Sequence, residues 1–353
     1  MEPLIPYFDV VKIPITGDFA IHGFGILVAL GFVLGSHQAA KKAERDGLDP
    51  ELINRLVSWM VAGVFIGGHA GHLLFYEPQD LINDPAVIFQ VWKGLSSFGG
   101  FIGCAVLGIW FFRREDAKIR KANKVARKAG GVLQARVNTW AYADSGLFGF
   151  TLGWFSGRMG CFVAHDHPGT ETDFWLGVKG MFNPNTFDTS VASEVQQKAA
   201  WIQSHVAEFP QLADISVKSR IPADVWQQVA YHDMGLYEAL WSLGMFGLFL
   251  ILDRKPRPPG FFVGLLFAVY GPVRLVMDVF RHTATDTRYF LDLTPAQILS
   301  VAMGLLGFWI LWSKRNETPI RMQMEAFRAA NPPVATEGAA DDGLADAAGG
   351  AEE

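Results

Sequence analysis

Two arginines lie inside apolar stretches of this 353-residue sequence: Arg158 in LGWFSGRMGCFVA and Arg274 in LLFAVYGPVRLVMDVF. A guanidinium in hydrocarbon is costly unless it faces an anion or a water-filled cavity. Its planar set of N–H donors suits phosphate in particular. The pair therefore predicts a site for a negatively charged ligand, by default a phosphate. The alternative is that the arginines snorkel or have a structural partner such as Asp278.

The elements that must hold these arginines are membrane helices. Half of the residues are hydrophobic and 13% are aromatic, a composition that excludes an ordinary soluble enzyme. A span needs about 20 predominantly apolar residues. The sequence predicts an all-α integral membrane protein with seven transmembrane helices, near residues 19–38, 56–76, 94–112, 139–163, 235–252, 259–280 and 295–312.

Basic loops predict the orientation. Lys and Arg concentrate in four segments that alternate spans place on one face, namely 37–55, 113–136, 253–257 and 313–328. The positive-inside rule then puts the N-terminus outside and the C-terminus in the cytoplasm. We expect residues 1–322 to form the membrane domain, with 165–232 as an outer arm or head. The Ala/Gly-rich acidic stretch 323–353 is expected to be a disordered tail.

In that orientation several polar side chains share one depth. At 1.5 Å per residue, Arg274 lies roughly 21 Å and Arg158 roughly 28 Å along their helices from the cytoplasmic end. Tyr270 lies one turn before Arg274 on the same face. His22 in the first span and His69 in the second also reach the outer half of the bilayer. This common depth predicts an outer-leaflet lipid headgroup as the ligand.

The fourth span closes with a run of polar residues, in which Cys161 is followed by His165, Asp166, His167 and Gly169. Such side chains can hold a metal ion. Histidines at a membrane edge are more often polar caps, however, so neither a metal nor another cofactor is expected.

Gly157-Arg158-Met159-Gly160 resembles the G-R-x-G signature of the prolipoprotein diacylglyceryl transferases. Further motifs of that family follow in order through residues 1–315: Ile21–Gly25, Gly67-Gly68-His69, Ser97–Gly103, Leu236-Tyr237-Glu238, Tyr270-Gly271 with Arg274, and Gln297–Ser300. Each motif is short, but their ordered combination is specific.

The resemblance implies a multi-pass enzyme of the bacterial inner membrane. It would transfer the diacylglyceryl group of phosphatidylglycerol to the lipobox cysteine of a prolipoprotein signal peptide, forming a thioether and releasing glycerol phosphate. No nucleic-acid partner is expected. The resemblance gives Arg274 and Tyr270 catalytic roles and makes Arg158 a substrate-binding residue. His22, His69 and Gly169 are further substrate-binding candidates.

Several family residues are replaced. Phe98 stands where the family usually has a histidine, Cys161 and Ala164 replace asparagines, and Phe24 replaces a tyrosine. An acceptor thiol with a pKa near 8.5 is only a few per cent thiolate at neutral pH, so a replacement base is expected.

His165 and His167 are the favoured bases, and His69 and His72 are the second choice. Proximity to the arginines alone is a further way to lower the thiol pKa. The sequence leaves three other functions open: a same-fold paralogue that binds phospholipid with a different acceptor or without catalysis, an anion transporter, and a metal-dependent hydrolase built on Cys161, His165 and His167.

Overall fold

The computed structural model describes residues 3–16, 19–75, 77–91, 94–281 and 294–332; the side chains of 16, 19, 97, 98, 295 and 296 are not among those described. The described chain is mostly helical. Its elements, in order, are β1 (Lys12–Thr16), β2 (Phe19–His22), α1 (Gly23–Arg45), α2 (Pro50–Phe75), α3 (Pro78–Asn83), α4 (Ser97–Ala129), α5 (Thr139–Ala164), β3 (Pro168–Glu171), β4 (Val178–Lys179), α6 (Ala192–His205), α7 (Ala223–Trp226), β5 (Ala230–Asp233), α8 (Met234–Leu252), α9 (Phe261–Val279), α10 (Pro295–Lys314) and α11 (Ile320–Ala330).

Each of the seven predicted segments coincides with a helix. Five of the described helices are long and apolar enough to cross a membrane: Gly23–Arg45, Pro50–Phe75, Met234–Leu252, Phe261–Val279 and Gln297–Lys314. Helices α4 and α5 have 33 and 26 residues, but they are less apolar. The structure therefore fits an all-α membrane protein, with short strands outside the candidate spans.

Helix α4 is longer than the sequence predicted. It continues to Ala129, so most of the predicted basic loop 113–136 is helical. Lys and Arg are good helix formers, and the helix ends where Gly130 adopts a left-handed conformation with φ of 65°. A search for apolar segments detects the apolar first half of such a helix, but it does not detect the charged residues that continue the helix.

The chain forms two compact units. One combines residues 1–54 with 140–319, and the other combines 55–139 with 320–353. The first unit contains α1, α5, α8, α9 and α10; the second contains most of α2, together with α3, α4 and α11. The predicted limits of one membrane domain over 1–322 and of the head 165–232 stay predictions.

Glycines let the helices of the first unit approach closely. A Cβ added at Gly31 of α1 would lie 2.6 Å from the carbonyl oxygen of Gly153 in α5. One added at Gly271 of α9 would lie 2.6 Å from the carbonyl oxygen of Ser300 in α10. Larger residues would separate the backbones, so these glycines set the interhelical distance. In the second unit, Gly67 of α2 meets Gly99 of α4 in the same way.

Buried polar side chains fix the relation of α5 to α8 and α9. Asp144 of α5 accepts hydrogen bonds from the backbone N–H groups of Gly260 (2.7 Å) and Val263 (2.9 Å). It therefore provides hydrogen-bond partners for backbone donors at the start of α9 that have none within the helix. Ser242 of α8 donates to the carbonyl oxygen of Thr151 at 2.6 Å. These contacts hold the three helices that carry the site described below.

Residues between α5 and α8 build a small folded head. Strand β5 lies between β3 and β4 in an antiparallel sheet. Its core includes Trp201, Leu212, Trp226 and Tyr231, and the Trp201 indole N–H donates to the Tyr231 hydroxyl at 2.9 Å. Helix α6 contributes Trp201 and Ile202 to this core.

Part of the expected disordered tail is helical. Helix α11 includes residues 323–330, and residues 333–353 lie outside the described part of the chain. Its apolar residues Ile320, Met324 and Phe327 recur at spacings of four and three, which places them on one face. The composition of the long Ala/Gly-rich segment concealed this short amphipathic helix.

Candidate active site

Glu238 joins the two arginines. Arg158 Nε of α5 lies 2.7 Å from Glu238 Oε2, and Arg274 Nη1 of α9 lies 2.7 Å from Glu238 Oε1 of α8. The Glu238 side chain is 1% exposed, whereas the arginine side chains are 15% and 18% exposed. With Glu238 as a carboxylate, the cluster carries a net charge of +1. The structural partner suggested by the sequence, Asp278, instead accepts a hydrogen bond from Thr294 Oγ1 at 3.3 Å.

The arginines retain binding capacity for a second anion. A guanidinium has five N–H donors, and each Glu238 contact uses one nitrogen of each arginine. Arg158 Nη1 also makes a long contact of 3.7 Å with Cys161 Sγ. Because both side chains are partly exposed, their other donors can reach a phosphate while Glu238 holds the two cations close together.

Aromatic rings frame the arginine cluster. The Arg158 guanidinium lies over the Trp154 ring at 4.6 Å from its centroid. The Tyr270 hydroxyl contacts Glu238 Oε2 at 3.4 Å, and the Tyr270 ring packs against Trp241 at a centroid distance of 4.8 Å. The structure brings Arg158, Arg274 and Tyr270 together around Glu238, and their roles in a substrate site stay a prediction.

A second polar cluster adjoins Arg158. Side-chain ligand atoms of Cys161, Asp166 and His167 all lie within 4.8 Å of one another. Cys161 is buried, whereas the side chains of His167 and Asp166 are 39% and 40% exposed. His167 Nδ1 contacts Asp166 Oδ1 directly. This cluster lies at the end of α5, with Cys161 in its last turn and Asp166 and His167 just after it.

The second cluster shifts the protonation of its members. The Asp166 carboxylate and the Cys161 thiol raise the pKa of His167 to about 9, against the opposing effects of burial and Arg158. Burial raises the pKa of Asp233 to about 7, against hydrogen bonds from the backbone of Leu236 and Gly235. Two carboxyl groups and a thiol therefore surround one imidazole.

His165 points its ring away from this cluster. Its Nε2 lies 2.9 Å from the carbonyl oxygen of Phe8, and its ring packs against the Phe8 ring at 4.3 Å. Its backbone φ of 53° is left-handed, which ends α5 and reverses the chain. His165 therefore makes a turn and fastens the N-terminal segment, while His167 lies next to Cys161.

A family model described as prolipoprotein diacylglyceryl transferase matches residues 10–313. The chain belongs to this family. Similar relatives include the phosphatidylglycerol–prolipoprotein diacylglyceryl transferases of Yersinia pestis (strain Pestoides F) and Yersinia pseudotuberculosis (strain YPIII). Each is 29% identical over 323 residues, covering 89% of this chain and 96% of the relative.

The two replacements expected from the sequence, Phe98 for a histidine and Cys161 for an asparagine, change which titratable groups the chain carries. The side chain of Phe98 lies outside the described residues, but a phenyl ring has no proton to transfer. Cys161 brings a thiol within 3.7 Å of Arg158 Nη1. The chain thus lacks one titratable group and gains another.

The other predicted site residues each have surroundings of their own. His22 is exposed at the start of α1. A Cβ at Gly169 would meet the Phe280 carbonyl oxygen, so this glycine permits a close backbone crossing. The ring nitrogens of His69 lie 3.1 Å from the carbonyl oxygens of Gly94 and Val87, and the residue is 2% exposed. His69 thus fastens the segment after α3, and its role in substrate binding stays a prediction, as do those of His22 and Gly169.

Sequence reasoning missed Glu238 as a site residue. It was noted as the end of the Leu236-Tyr237-Glu238 motif, but it was not paired with the arginines. The available signal was a carboxylate inside an apolar span, since a buried charge requires a partner. The same reasoning that singled out Arg158 and Arg274 applies to Glu238.

Proposed function

We propose that this protein transfers the diacylglyceryl group of phosphatidylglycerol to the lipobox cysteine thiol of prolipoproteins. The thiol sulfur attacks the glyceryl carbon that carries the phosphodiester oxygen. A C–S bond forms, the C–O bond breaks, and glycerol phosphate leaves with the electron pair. The products are a thioether-linked diacylglyceryl protein and glycerol phosphate.

The observation that carries this proposal is the cluster of Arg158, Glu238 and Arg274. Its net charge of +1 matches a phosphodiester monoanion. As the C–O bond breaks, the departing phosphate gains negative charge, and guanidinium donors held in place beforehand stabilise that charge. The carboxylate orients the arginines before the lipid binds, which reduces the reorganisation needed during the reaction.

Tyr270 and Trp154 complete the phosphate site. The single O–H of Tyr270 donates to Glu238 Oε2 over a long 3.4 Å, and it would turn from the carboxylate to a phosphate oxygen when the lipid binds. The Trp154 ring restricts Arg158 to one side through the cation–π contact. We assign Arg274 and Tyr270 to transition-state stabilisation and Arg158 to binding of the headgroup.

Activation of the acceptor thiol is assigned to the cluster at the end of α5. His167 is preferred to His165, because the His165 ring is committed to the Phe8 carbonyl. Its pKa of about 9 makes His167 an imidazolium at neutral pH, which would stabilise a nearby thiolate by its charge. His167 lies next to Cys161, which contacts Arg158. A thiolate formed beside His167 would therefore arise near the bound phosphate.

We further propose that the protein crosses the inner membrane seven times, with its N-terminus and head outside. A reporter fused after Arg315 should be active in the cytoplasm, because the basic segments lie on that side. A matched fusion after the exposed Lys218 in the head should be active outside. Periplasmic activity of the Arg315 fusion would overturn this orientation.

The function is tested with radiolabelled phosphatidylglycerol and a lipobox peptide in detergent. Arg158→Gln and Arg274→Gln should each reduce transfer by about 10²–10³-fold, the effect of removing one donor to a developing anion. Arg158→Lys should recover little activity, because an ammonium lacks the planar fork.

The matched control is Arg136→Gln, which removes an exposed arginine paired with Asp116. Its transfer rate should equal that of the wild-type protein. Full activity of Arg158→Gln would refute the site. Lipid binding without transfer to any lipobox peptide would favour a same-fold paralogue with another acceptor.

A further inference from the structure

We propose that Cys161, Asp166 and His167 form a divalent-metal site of the zinc class, whose open coordination position takes the acceptor thiol as a thiolate. This inference rests on the proposed transferase function for the identity of the acceptor. The metal would promote deprotonation of the acceptor thiol, a step for which the chain has no histidine at position 98.

The donor set is that of a catalytic zinc site. A thiolate sulfur, an imidazole nitrogen and a carboxylate oxygen are ligands that Zn²⁺ accepts together, and catalytic zinc typically has three protein ligands and one open position. Tetrahedral coordination at ordinary bond lengths separates ligand atoms by roughly 3.5 Å. The three ligand atoms all lie within 4.8 Å of one another, so a pair at that upper limit would need to close by about 1.3 Å.

The backbone brings these ligands together independently of any metal. The left-handed His165 reverses the chain after α5, and the N–H of Asp166 then points back to the Cys161 carbonyl oxygen at 3.5 Å. The carbonyl of His167 accepts a hydrogen bond from Met234 at 3.2 Å. The segment 166–167 is therefore hydrogen-bonded to α5 at one end and to the start of α8 at the other.

Asp233 provides a second observation that points to a cation. Its side chain is fully buried, and its Oδ2 has no hydrogen-bond partner among the residues that the structure describes. It interacts electrostatically with both Asp166 and His167. A buried carboxylate oxygen without a partner is costly. A divalent ion at the adjoining ligands would stabilise this carboxylate.

The location suits activation of the acceptor. A metal-bound thiol is deprotonated outright, and Arg158 Nη1 lies 3.7 Å from Cys161 Sγ. The acceptor thiol would lose its proton to solvent, and its sulfur would bind the metal beside the phosphate site. The sulfur then forms the C–S bond as the C–O bond to phosphate breaks, and the metal keeps its charge throughout.

Co²⁺ binding to the full-length protein in detergent tests the site directly. We expect one equivalent per chain with a thiolate-to-cobalt charge-transfer band, competed by Zn²⁺. Cys161→Ser and His167→Ala should abolish the band. The matched controls Cys104→Ser and His37→Gln, a cysteine of α4 and an exposed histidine of α1, should retain it.

Asp166→Asn is a milder variant, because Asp166 is partly exposed and follows α5. It should weaken Co²⁺ binding by at least about tenfold. Absence of stoichiometric Co²⁺ binding to the wild-type protein, or an unchanged band in Cys161→Ser, would overturn the site.

The open position is tested with the lipobox peptide. Adding the peptide should intensify the thiolate band, and the same peptide with serine for the lipobox cysteine should leave it unchanged. Chelation should slow transfer about 30-fold at pH 7, because a free thiol with a pKa near 8.5 is then only a few per cent ionised; Zn²⁺ should restore the rate.

The two proposals fail in different ways. Full transfer by the metal-free protein would refute the metal's role and leave the transferase function standing. A site that binds Co²⁺ normally in a protein that transfers no lipid at any metal content would refute the transferase function. A thiolate band insensitive to the cysteine peptide would refute the acceptor as the fourth ligand.

Discussion

At the residue scale, Glu238 decides how the two arginines can act. A carboxylate that is 1% exposed must be paired, and breaking such a buried pair typically costs about 3–5 kcal/mol. Glu238 therefore holds both guanidinium groups in fixed positions. The sequence predicted the arginines and their ligand class from the cost of burying charge, but it could not show which carboxylate lies between them.

Glu238→Gln should show whether the carboxylate orients the two arginines, because the arginines keep their attraction for the phosphate in this variant. The amide keeps the shape of the side chain but no longer fixes both cations, so the transfer rate should fall about 10²-fold through misplacement of the reacting groups. The phosphatidylglycerol concentration at half saturation should change little, because both arginines remain. Steady-state kinetics measures both quantities.

Glu317→Gln is the control, since it breaks an exposed pair with Lys314. An unchanged maximal rate in Glu238→Gln would show that the carboxylate does not position the arginines.

At the element scale, hydrophobic length carried most of the prediction. Five of the predicted segments coincide with candidate spans, because about 20 apolar residues leave a clear signal. The compact core of the head was not predicted, because its residues meet only after the chain folds. The helix α11 was concealed by the composition of the segment around it.

Gly271→Ala tests the packing of α9 on α10. Its Cβ would lie 2.6 Å from the Ser300 carbonyl oxygen, so the helices must separate, at a typical cost of about 1–3 kcal/mol. Thermal unfolding in detergent should show a lower midpoint.

Gly244→Ala is the matched control in α8, where an added Cβ meets no atom within 4 Å. It should stabilise the protein slightly, by up to about 1 kcal/mol, because alanine is the better helix former. Equal midpoints for the two variants would contradict close packing at Gly271.

At the scale of the whole molecule, the site depends on helices that are distant in sequence. Arg158, Glu238 and Arg274 come from α5, α8 and α9, and buried polar contacts such as those of Asp144 set the register of these helices. Shared depth in the bilayer predicted that the arginines would lie at one level. It could not predict that Cys161, Asp166 and His167 would converge beside them, because that depends on the turn at His165.

The most direct test of the phosphate site is the double variant Arg158→Gln with Glu238→Gln. It removes one positive and one negative charge together, so the buried charge balance is kept. Relative to Arg158→Gln alone, thermal stability should recover, but diacylglyceryl transfer should stay at least about 10²-fold below wild type, because the phosphate has lost a donor. Recovery of wild-type transfer would show that Arg158 serves only to neutralise Glu238, and would contradict the proposed phosphate site.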